Sequence, residues 1–288
     1  KGKEIGSGKD GIVFRIDLTI LSRDERHLLM ENKVITEFEE IDVMAAKILK
    51  IYNPEVGDHE FKMQKRAIEI LTAKNNVVRI PGTTTVLDHM LTSITKHRLN
   101  AQGAQLEDHA ELIMMDYING DDLGTMMYSF ALKQMGYEDE YIKDLSYSQK
   151  EQLVGQEIGY EIPDIESAST PEEQESAQAV TFDRNEEKLF KHLKKHGFML
   201  DPLIFEKIEN SIRYLNQGGL FHNDLHKQNI MVDVDGEVYI IDFGRAAVEK
   251  RKDGLVDNAF SKKWKGLSLS KEEEQKQKEQ AALQKQLA

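Results

Sequence analysis

Two rhythms of apolar and polar positions alternate along the chain. Lys3-Glu4-Ile5 and Ile12-Val13-Phe14-Arg15-Ile16-Asp17-Leu18 flank the turn Gly6-Ser7-Gly8-Lys9-Asp10-Gly11, and the second run is β-rich with partial alternation. That pattern predicts a hairpin over 1–22. Residues 23–40 are charged and read as an excursion. The run 41–51 (IDVMAAKILKI) predicts a buried strand carrying one lysine, Lys47, and Asn53-Pro54 breaks it. From Glu60 to Lys74 the spacing turns helical, with Phe61, Ala67, Ile68 and Leu71 on the inner side. Short strands follow at 77–80 and 83–87 around Pro81-Gly82, and at 111–118 before Asn119-Gly120. A second helical stripe, Leu203, Ile204, Ile208, Ile212 and Leu215, predicts a helix over 201–217 capped by Gly218-Gly219. Asp235-Gly236, between Met231-Val232 and Val238-Tyr239-Ile240, predicts a type I′ hairpin.

Two stretches lack such a rhythm. Residues 136–187 are acidic and rich in Ser and Gln, and 165–178 (IESASTPEEQESAQ) reads as a mobile loop or linker. The tail opens with a capping box, Ser270 to Glu273. It continues as a helix-prone run over 271–288 with almost no apolar face, which needs a partner or stays solvated. The predicted organisation is a strand-rich 1–118, a mostly helical 119–270 with the acidic insertion at 136–187, and the polar helix 271–288.

Composition narrows the function classes. Of 288 residues, 40% are hydrophobic and 31% charged, a globular balance with ample core. The net charge of −13 argues against a nucleic-acid partner, which calls for a basic face. With no Cys, disulfides and thiolate zinc sites are excluded, which fits a cytoplasmic setting. No apolar run approaches the roughly 20 residues that span a bilayer, and no signal peptide is visible. The chain starts at Lys1 and enters a motif at once, so we read it as a piece of a longer protein.

The chemistry concentrates in residues 222–244, HNDLHKQNIMVDVDGEVYIIDFG. Asp224 sits in a His-Asn-Asp turn, Asn229 lies five residues on, and Asp242 follows an apolar run. A turn, a hairpin and a second turn bring these oxygens together, because the strands of a hairpin return to their start. Mg²⁺ takes hard oxygen ligands, commonly one or two carboxylates plus substrate phosphates, and Asn229 and Asp242 suit that task. Asp224, kept off the metal, suits accepting a hydroxyl proton. Asp233 and Asp235 serve the turn.

These residues carry a resemblance to the protein kinase superfamily. His222 to Asn229 resembles the H-R-D-L-x-x-x-N catalytic loop, and Asp242-Phe243-Gly244 matches D-F-G. Gly6-Ser7-Gly8-Lys9-Asp10-Gly11-Ile12-Val13 matches G-x-G-x-x-G-x-V. A strand follows it, where a dinucleotide-binding unit would have a helix. Ala45-Ala46-Lys47 resembles the A-x-K strand, and Met114-Met115-Asp116-Tyr117-Ile118-Asn119-Gly120 the hinge that receives adenine. The resemblance implies an α+β fold in two lobes, an antiparallel β N-lobe and a mostly helical, shortened C-lobe. It implies ATP with Mg²⁺ or Mn²⁺ and in-line transfer of the γ-phosphate to a hydroxyl. Gly6, Ser7, Gly8, Gly11 and Val13 would cover the nucleotide, and Met115, Asp116 and Tyr117 would line the adenine site. Lys47 would hold the phosphates, Asp224 would act on the acceptor, and Asn229 and Asp242 would bind metal.

Departures from the pattern sharpen the expectations. The stretch from Gly11 to Lys47 is long, marking an insertion near 22–40. The partner of Lys47 is either Glu60, as an ion pair, or Gln64, through a neutral hydrogen bond, one turn apart on one helix face. His226 stands where many Ser/Thr kinases place Lys, and only 44 residues follow Gly244, without an A-P-E motif. Aminoglycoside and choline kinases are similar in their short ends, and trimmed kinases of this kind resemble injected bacterial effectors of the Legionella type. The leading expectation is an atypical, effector-like protein Ser/Thr kinase, cytoplasmic or secreted into a host cell, acting on a protein substrate. Alternatives are a small-molecule kinase, a pseudokinase scaffold and AMP transfer by the same fold. His192 and His196, at helical spacing, read as a solvated face. Lys191 to His196, Lys250-Arg251-Lys252 and Lys262-Lys263-Trp264-Lys265 form either solvated faces or a pocket for an anionic regulator, an inositol polyphosphate or phospholipid headgroup.

Overall fold

A computed structural model describes residues 3–7, 11–31, 42–49, 54–74, 78–81, 83–86, 112–163, 170–248 and 267. Gly8, the clusters 250–252 and 262–265 and the tail 271–288 lie outside the described residues. The chain divides into two compact units, 1–120 with 207–257, and 121–206 with 258–288. Among the described residues no helix is long and apolar enough to cross a membrane.

The first unit is built on strands. β1 (Lys3–Ser7), β2 (Gly11–Asp17), β3 (Val43–Leu49), β5 (Thr83–Val86) and β6 (Leu112–Asp116) form an antiparallel sheet in the order β1-β2-β3-β6-β5. β4 (Val78–Arg79), β9 (Val238–Ile240) and β8 (Ile230–Asp233) lie side by side in a second sheet, with β7 (Gly120–Asp122) at its edge. The hairpin at Asp235-Gly236 joins β8 to β9 as predicted, but it is not a type I′ turn: Gly236 takes a positive φ of 79° and Asp235 does not. The turn closes from Asp233 to Gly236, whose N donates to Asp233 O at 3.0 Å.

Register decides what each face of the large sheet does. Val13 pairs with Lys47 and Lys47 with Ile113, so these side chains share a face with Ala45 and Met115. On the opposite face Met44, Ala46, Leu112 and Met114 close a core under Leu18. A one-residue slip would exchange the two sets and bury the wrong one.

One excursion proved to contain a helix, and two other expectations needed correction. The excursion from residue 23 contains helix α1 (Arg23–Glu31), fastened where the Arg26 guanidinium donates twice to Leu18 O at 3.0 and 2.8 Å. The helix expected from Glu60 begins earlier. α2 runs from Pro54 to Ala73, because the proline that ends a strand also suits the first helical position, where no N–H partner is needed. Residues from 170 on are not linker. Thr170 accepts from Glu173 N, Glu173 accepts from Thr170 N, both at 3.2 Å, and Pro171 opens the helix.

The second unit is helical. α3 (Leu123–Gln134), α4 (Asp139–Asp144), α5 (Tyr147–Ile158) and α6 (Pro171–Lys195) follow one another, with α3, α5 and α6 in mutual contact. Leu189 and Leu193 anchor the far half of α6 in the core, which lets its polar first half continue as helix. α7 (Pro202–Gln217) crosses from the second unit to the first. It buries Phe205, Ile208, Ser211, Ile212 and Leu215, whereas Leu203 of the predicted stripe is 65% exposed.

Candidate active site

Every described residue of the predicted site that carries a charge or an amide belongs to the first unit. β3 delivers Lys47 into the interior, where it is 6% exposed. Gly11 makes room for it: a Cβ there would stand 2.9 Å from Ile48 O and 3.2 Å from the Lys47 stem. α2 brings Glu60, 2% exposed, across from it. Lys47 Nζ donates to Glu60 Oε1 at 2.7 Å and Oε2 at 3.0 Å, and to Asp242 Oδ1 at 3.1 Å. Of the two candidate partners, Glu60 makes the ion pair. Gln64, one turn on, is buried and donates its amide to Pro81 O at 2.8 Å.

The three charges hold one another in place. Burial pushes the Lys47 ammonium toward neutrality, but the Asp242 and Glu60 carboxylates outweigh it and its pKa rises. Burial likewise pushes Asp242 up, and Lys47 outweighs that, aided by His222 and the Gly244 amide, so its pKa falls. Both groups are therefore charged at neutral pH.

Asp242 reaches this position through an unusual backbone. Its φ is +61°, a left-handed conformation that costs an L residue on the order of 1 kcal/mol. Its Oδ1 also accepts from Gly244 N at 3.4 Å, so the carboxylate is held from two sides. The buried Phe243 ring lies against His222 at 4.8 Å between centroids, and His222 Nε2 meets Ile241 O at 3.0 Å. Ile241 N donates to Asn229 O at 3.0 Å, which sets the metal-candidate amide beside the D-F-G backbone.

The loop before β8 holds the acceptor side. Asn223 has a φ of +60°, and its Nδ2 reaches Arg245 O at 3.4 Å. Asn229 is buried and donates Nδ2 to Asp224 O at 2.8 Å, which leaves its amide oxygen as the atom it can offer a cation. His226 caps the short 3₁₀ turn Lys227–Asn229 by accepting from Gln228 N at Nδ1, 3.2 Å. Its Nε2 lies 3.9 Å from Asp224 Oδ2, consistent with a loop-supporting role.

Among the described residues no three His, Asp or Glu side chains gather as a metal cluster of their own. The donors present are two hard oxygens, one from Asn229 and the second carboxylate oxygen of Asp242. That set fits a divalent cation that completes its shell with phosphate oxygens and water.

The remaining expected residues fall as follows. Gly6 pairs with Val13 across the β1–β2 register, Ser7 ends β1, and Val13 shares the Lys47 face. Met115 and Asp116 end β6. Tyr117 follows them, with the Arg15 guanidinium 5.4 Å from its ring centroid. The sequence reading gave no role to two residues. His59, beside Glu60, meets Ala246 O through Nε2 at 2.8 Å and ties α2 to the segment after D-F-G. Arg245 places Nη1 3.4 Å from Asp224 Oδ1. The signal for Arg245 lay in its position directly after Gly244; for His59 there was none.

The antiparallel sheet, the helical remainder and this clustering of lysine, acids and amide define the class, a protein-kinase-like α+β fold carrying the residues of a phosphotransferase. The comparisons agree. A family model described as "Protein kinase domain" matches residues 128–266, a stretch that includes Asp224, Asn229 and Asp242. Sperm motility kinase 3A of Mus musculus is 36% identical over 75 residues, 25% of this chain and 14% of that protein. CBL-interacting protein kinase 21 of Oryza sativa subsp. japonica is 34% identical over 55 residues, 18% of this chain and 10% of its own length. CBL-interacting serine/threonine-protein kinase 17 of Arabidopsis thaliana shows 34% identity over 55 residues, 18% and 13% of the two chains. The chain thus spans about a seventh or less of the length of these relatives. These matches make residues 128–266 similar to a protein kinase domain, a domain that in general uses ATP and a divalent metal.

Proposed function

We propose that the chain is a protein serine/threonine kinase that uses ATP and Mg²⁺. The observation that carries this reading is the Lys47 ammonium held between Glu60 and Asp242, with Asp224 and Asn229 on the adjoining loop. Lys47, fixed by Glu60, would bind the α- and β-phosphates, and the Gly-rich turn would lie over them. Asn229 and Asp242 would hold the metal, whose part is to offset charge on the phosphate oxygens. The acceptor oxygen forms its bond to the γ-phosphorus as the bond to the β–γ bridging oxygen breaks. The electron pair leaves with ADP, and the hydroxyl proton goes to the Asp224 carboxylate.

The kinase names of the relatives support a protein acceptor. His226 in place of lysine favours the second reading, a small-molecule kinase. An anionic activator belongs to the same proposal: the last turn of α6 gathers Lys194 and Lys195 in a chain of net charge −13. Incubation with γ-labelled and α-labelled ATP, with and without a generic protein substrate and cell extract, separates the readings. Label from γ on protein is expected. Label only from α would replace the reading with AMP transfer. Turnover only with small hydroxylated compounds would select the second reading, and ATP binding without any turnover would leave a scaffold.

A further inference from the structure

Asp224 is the group that must face the acceptor, and it is already paired. Arg245 Nη1 stands 3.4 Å from Asp224 Oδ1, with the two side chains 43% and 21% exposed. By itself such a contact is a surface ion pair of little consequence. What distinguishes it is how tightly the backbone of Arg245 is fixed. Asn223 Nδ2 donates to the Arg245 carbonyl at 3.4 Å, from a residue held at φ +60°. Ala246 N donates to Phe243 O at 3.0 Å, and Ala246 O meets His59 Nε2 at 2.8 Å. Ala247 and Phe221 exchange two backbone hydrogen bonds at 2.8 and 2.9 Å. The backbone of Arg245 and of the two residues after it is thus fastened to the catalytic loop and to α2. A long, entropically costly side chain is launched from a rigid base toward one carboxylate oxygen.

We propose that Arg245 is a positioning residue for Asp224 that also screens its charge from the transferring phosphoryl group. A phosphoryl group in transfer carries negative charge over three oxygens, and a bare carboxylate beside it would repel it. A guanidinium on Oδ1 offsets that repulsion and turns Oδ2 toward the acceptor hydroxyl. The planar fork also resists rotation of the carboxylate better than an ammonium would. The residue acts through Asp224, distinct from the nucleotide grip of Lys47 and Asp242.

The inference rests on the phosphotransferase reading, and one experiment keeps the two apart. Binding of Mg²⁺·ADP alone and of Mg²⁺·ADP with aluminium fluoride, a planar mimic of the group in transfer, is measured by calorimetry on wild type, Arg245→Ala and Arg245→Lys. Wild type is expected to bind the fluoride complex more tightly than ADP. Arg245→Ala should keep ADP affinity within about threefold and lose roughly 10²-fold on the fluoride complex, as for removal of one electrostatic group aimed at a transition state. Arg245→Lys should recover part of the loss, and free guanidinium should restore Arg245→Ala. Failure of wild type to bind ADP would sink both the functional reading and this inference. ADP binding with unchanged fluoride selectivity in Arg245→Ala would overturn the role of Arg245 alone. Equal loss on both ligands without guanidinium rescue would also overturn it, by showing a structural role.

Discussion

Each unit of this protein buries a polar cluster, and the two clusters are held by different physics. In the first unit, Lys47, Glu60 and Asp242 meet as ions. In the second, Tyr128 donates its hydroxyl to Glu151 at 2.9 Å and meets the Tyr160 hydroxyl at 3.4 Å, with Tyr147 edge-on at 5.4 Å. Burial pushes the pKa of all three phenols up, Tyr160 to about 12, and the neighbouring carboxylate adds to the shift. So burial keeps the tyrosines neutral, while in the ionic cluster mutual pairing overrides burial and keeps charge. Hydroxyls that stay neutral lose little on desolvation, and the one carboxylate they meet, Glu151, is only half-buried, so this cluster serves packing. An ionic one loses its hydration and yields no obvious net stability over an apolar core. That the chain keeps the ionic cluster, with Asp242 at a strained φ, fits a cluster held for binding rather than for folding.

The sharpest way to break the contrast is to remove the ion shared by the nucleotide grip and the metal. Asp242→Ala should lower metal-dependent ATP turnover by roughly 10³-fold or more while the protein still folds. Turnover within tenfold of wild type would refute the role given to Asp242. Its folding stability, measured by urea titration, should fall by about 1–2 kcal/mol, because Lys47 keeps Glu60 but loses its second carboxylate, and Ala tolerates the left-handed φ less well than Asp.

Glu60 and Gln64 come next, since they share a helix face but only one is an ion. Glu60→Ala leaves Lys47 with Asp242 alone and should destabilise the fold by about 3 kcal/mol, as for a broken buried pair. It should also lower turnover. Gln64→Ala removes one hydrogen bond to Pro81 O and should cost about 1 kcal/mol, with turnover within threefold of wild type. Equal losses of turnover in both would mean that the face of α2, rather than the ion pair, positions Lys47.

That pair also shows where the sequence stops being legible. The catalytic loop, the D-F-G segment and the Asp235-Gly236 hairpin are contiguous in the chain, so their chemistry and their folding signal coincide in 23 residues. Lys47 stood out as one charge in an apolar strand. Its partner did not, because Glu60 and Gln64 lie one turn apart and a small rotation of α2 decides between them. The left-handed Asn223 and Asp242, and the clasp of His59 on Ala246, depend on packing between segments far apart in the chain. The tyrosine cluster draws on residues 128, 147, 151 and 160, and only helix packing brings them together. The stretch from 170 was misread because its helix is anchored by Leu189 and Leu193, well outside the polar window that suggested a linker.

The contrast should also appear as a pH window. Asp242 has a folded pKa below its unfolded value, so its contribution to stability is present above the ordinary carboxylate range, about pH 4, and is lost as pH falls through the depressed value. Lys47 has a raised pKa, so its contribution is complete below about pH 10 and fades as pH rises through the raised value. Thermal unfolding followed across pH should show both limbs, and Asp242→Asn should soften the acid one. An unchanged acid limb in that variant would assign it to other carboxylates. The raised phenols add a second marker. Tyr128 and Tyr147 should stay un-ionised in an alkaline ultraviolet titration until the protein unfolds.

The smallest effects should come from the neutral cluster, and there the direction separates packing from hydrogen bonding. Gly124 lies where a Cβ would stand 2.8 Å from the Tyr147 ring and 3.0 Å from its hydroxyl. Gly124→Ala, which would ordinarily favour a helix, should therefore destabilise the fold by about 2 kcal/mol through overpacking. Tyr128→Phe keeps the ring and removes only the hydroxyl that Glu151 and Tyr160 share, so it should cost about 1 kcal/mol. Neither should change ADP binding by more than about twofold, since neither residue carries a charge to lend the nucleotide. A large loss of ADP affinity in Tyr128→Phe would show that the second unit's cluster is coupled to the first unit's, and the division of labour drawn between them would fail.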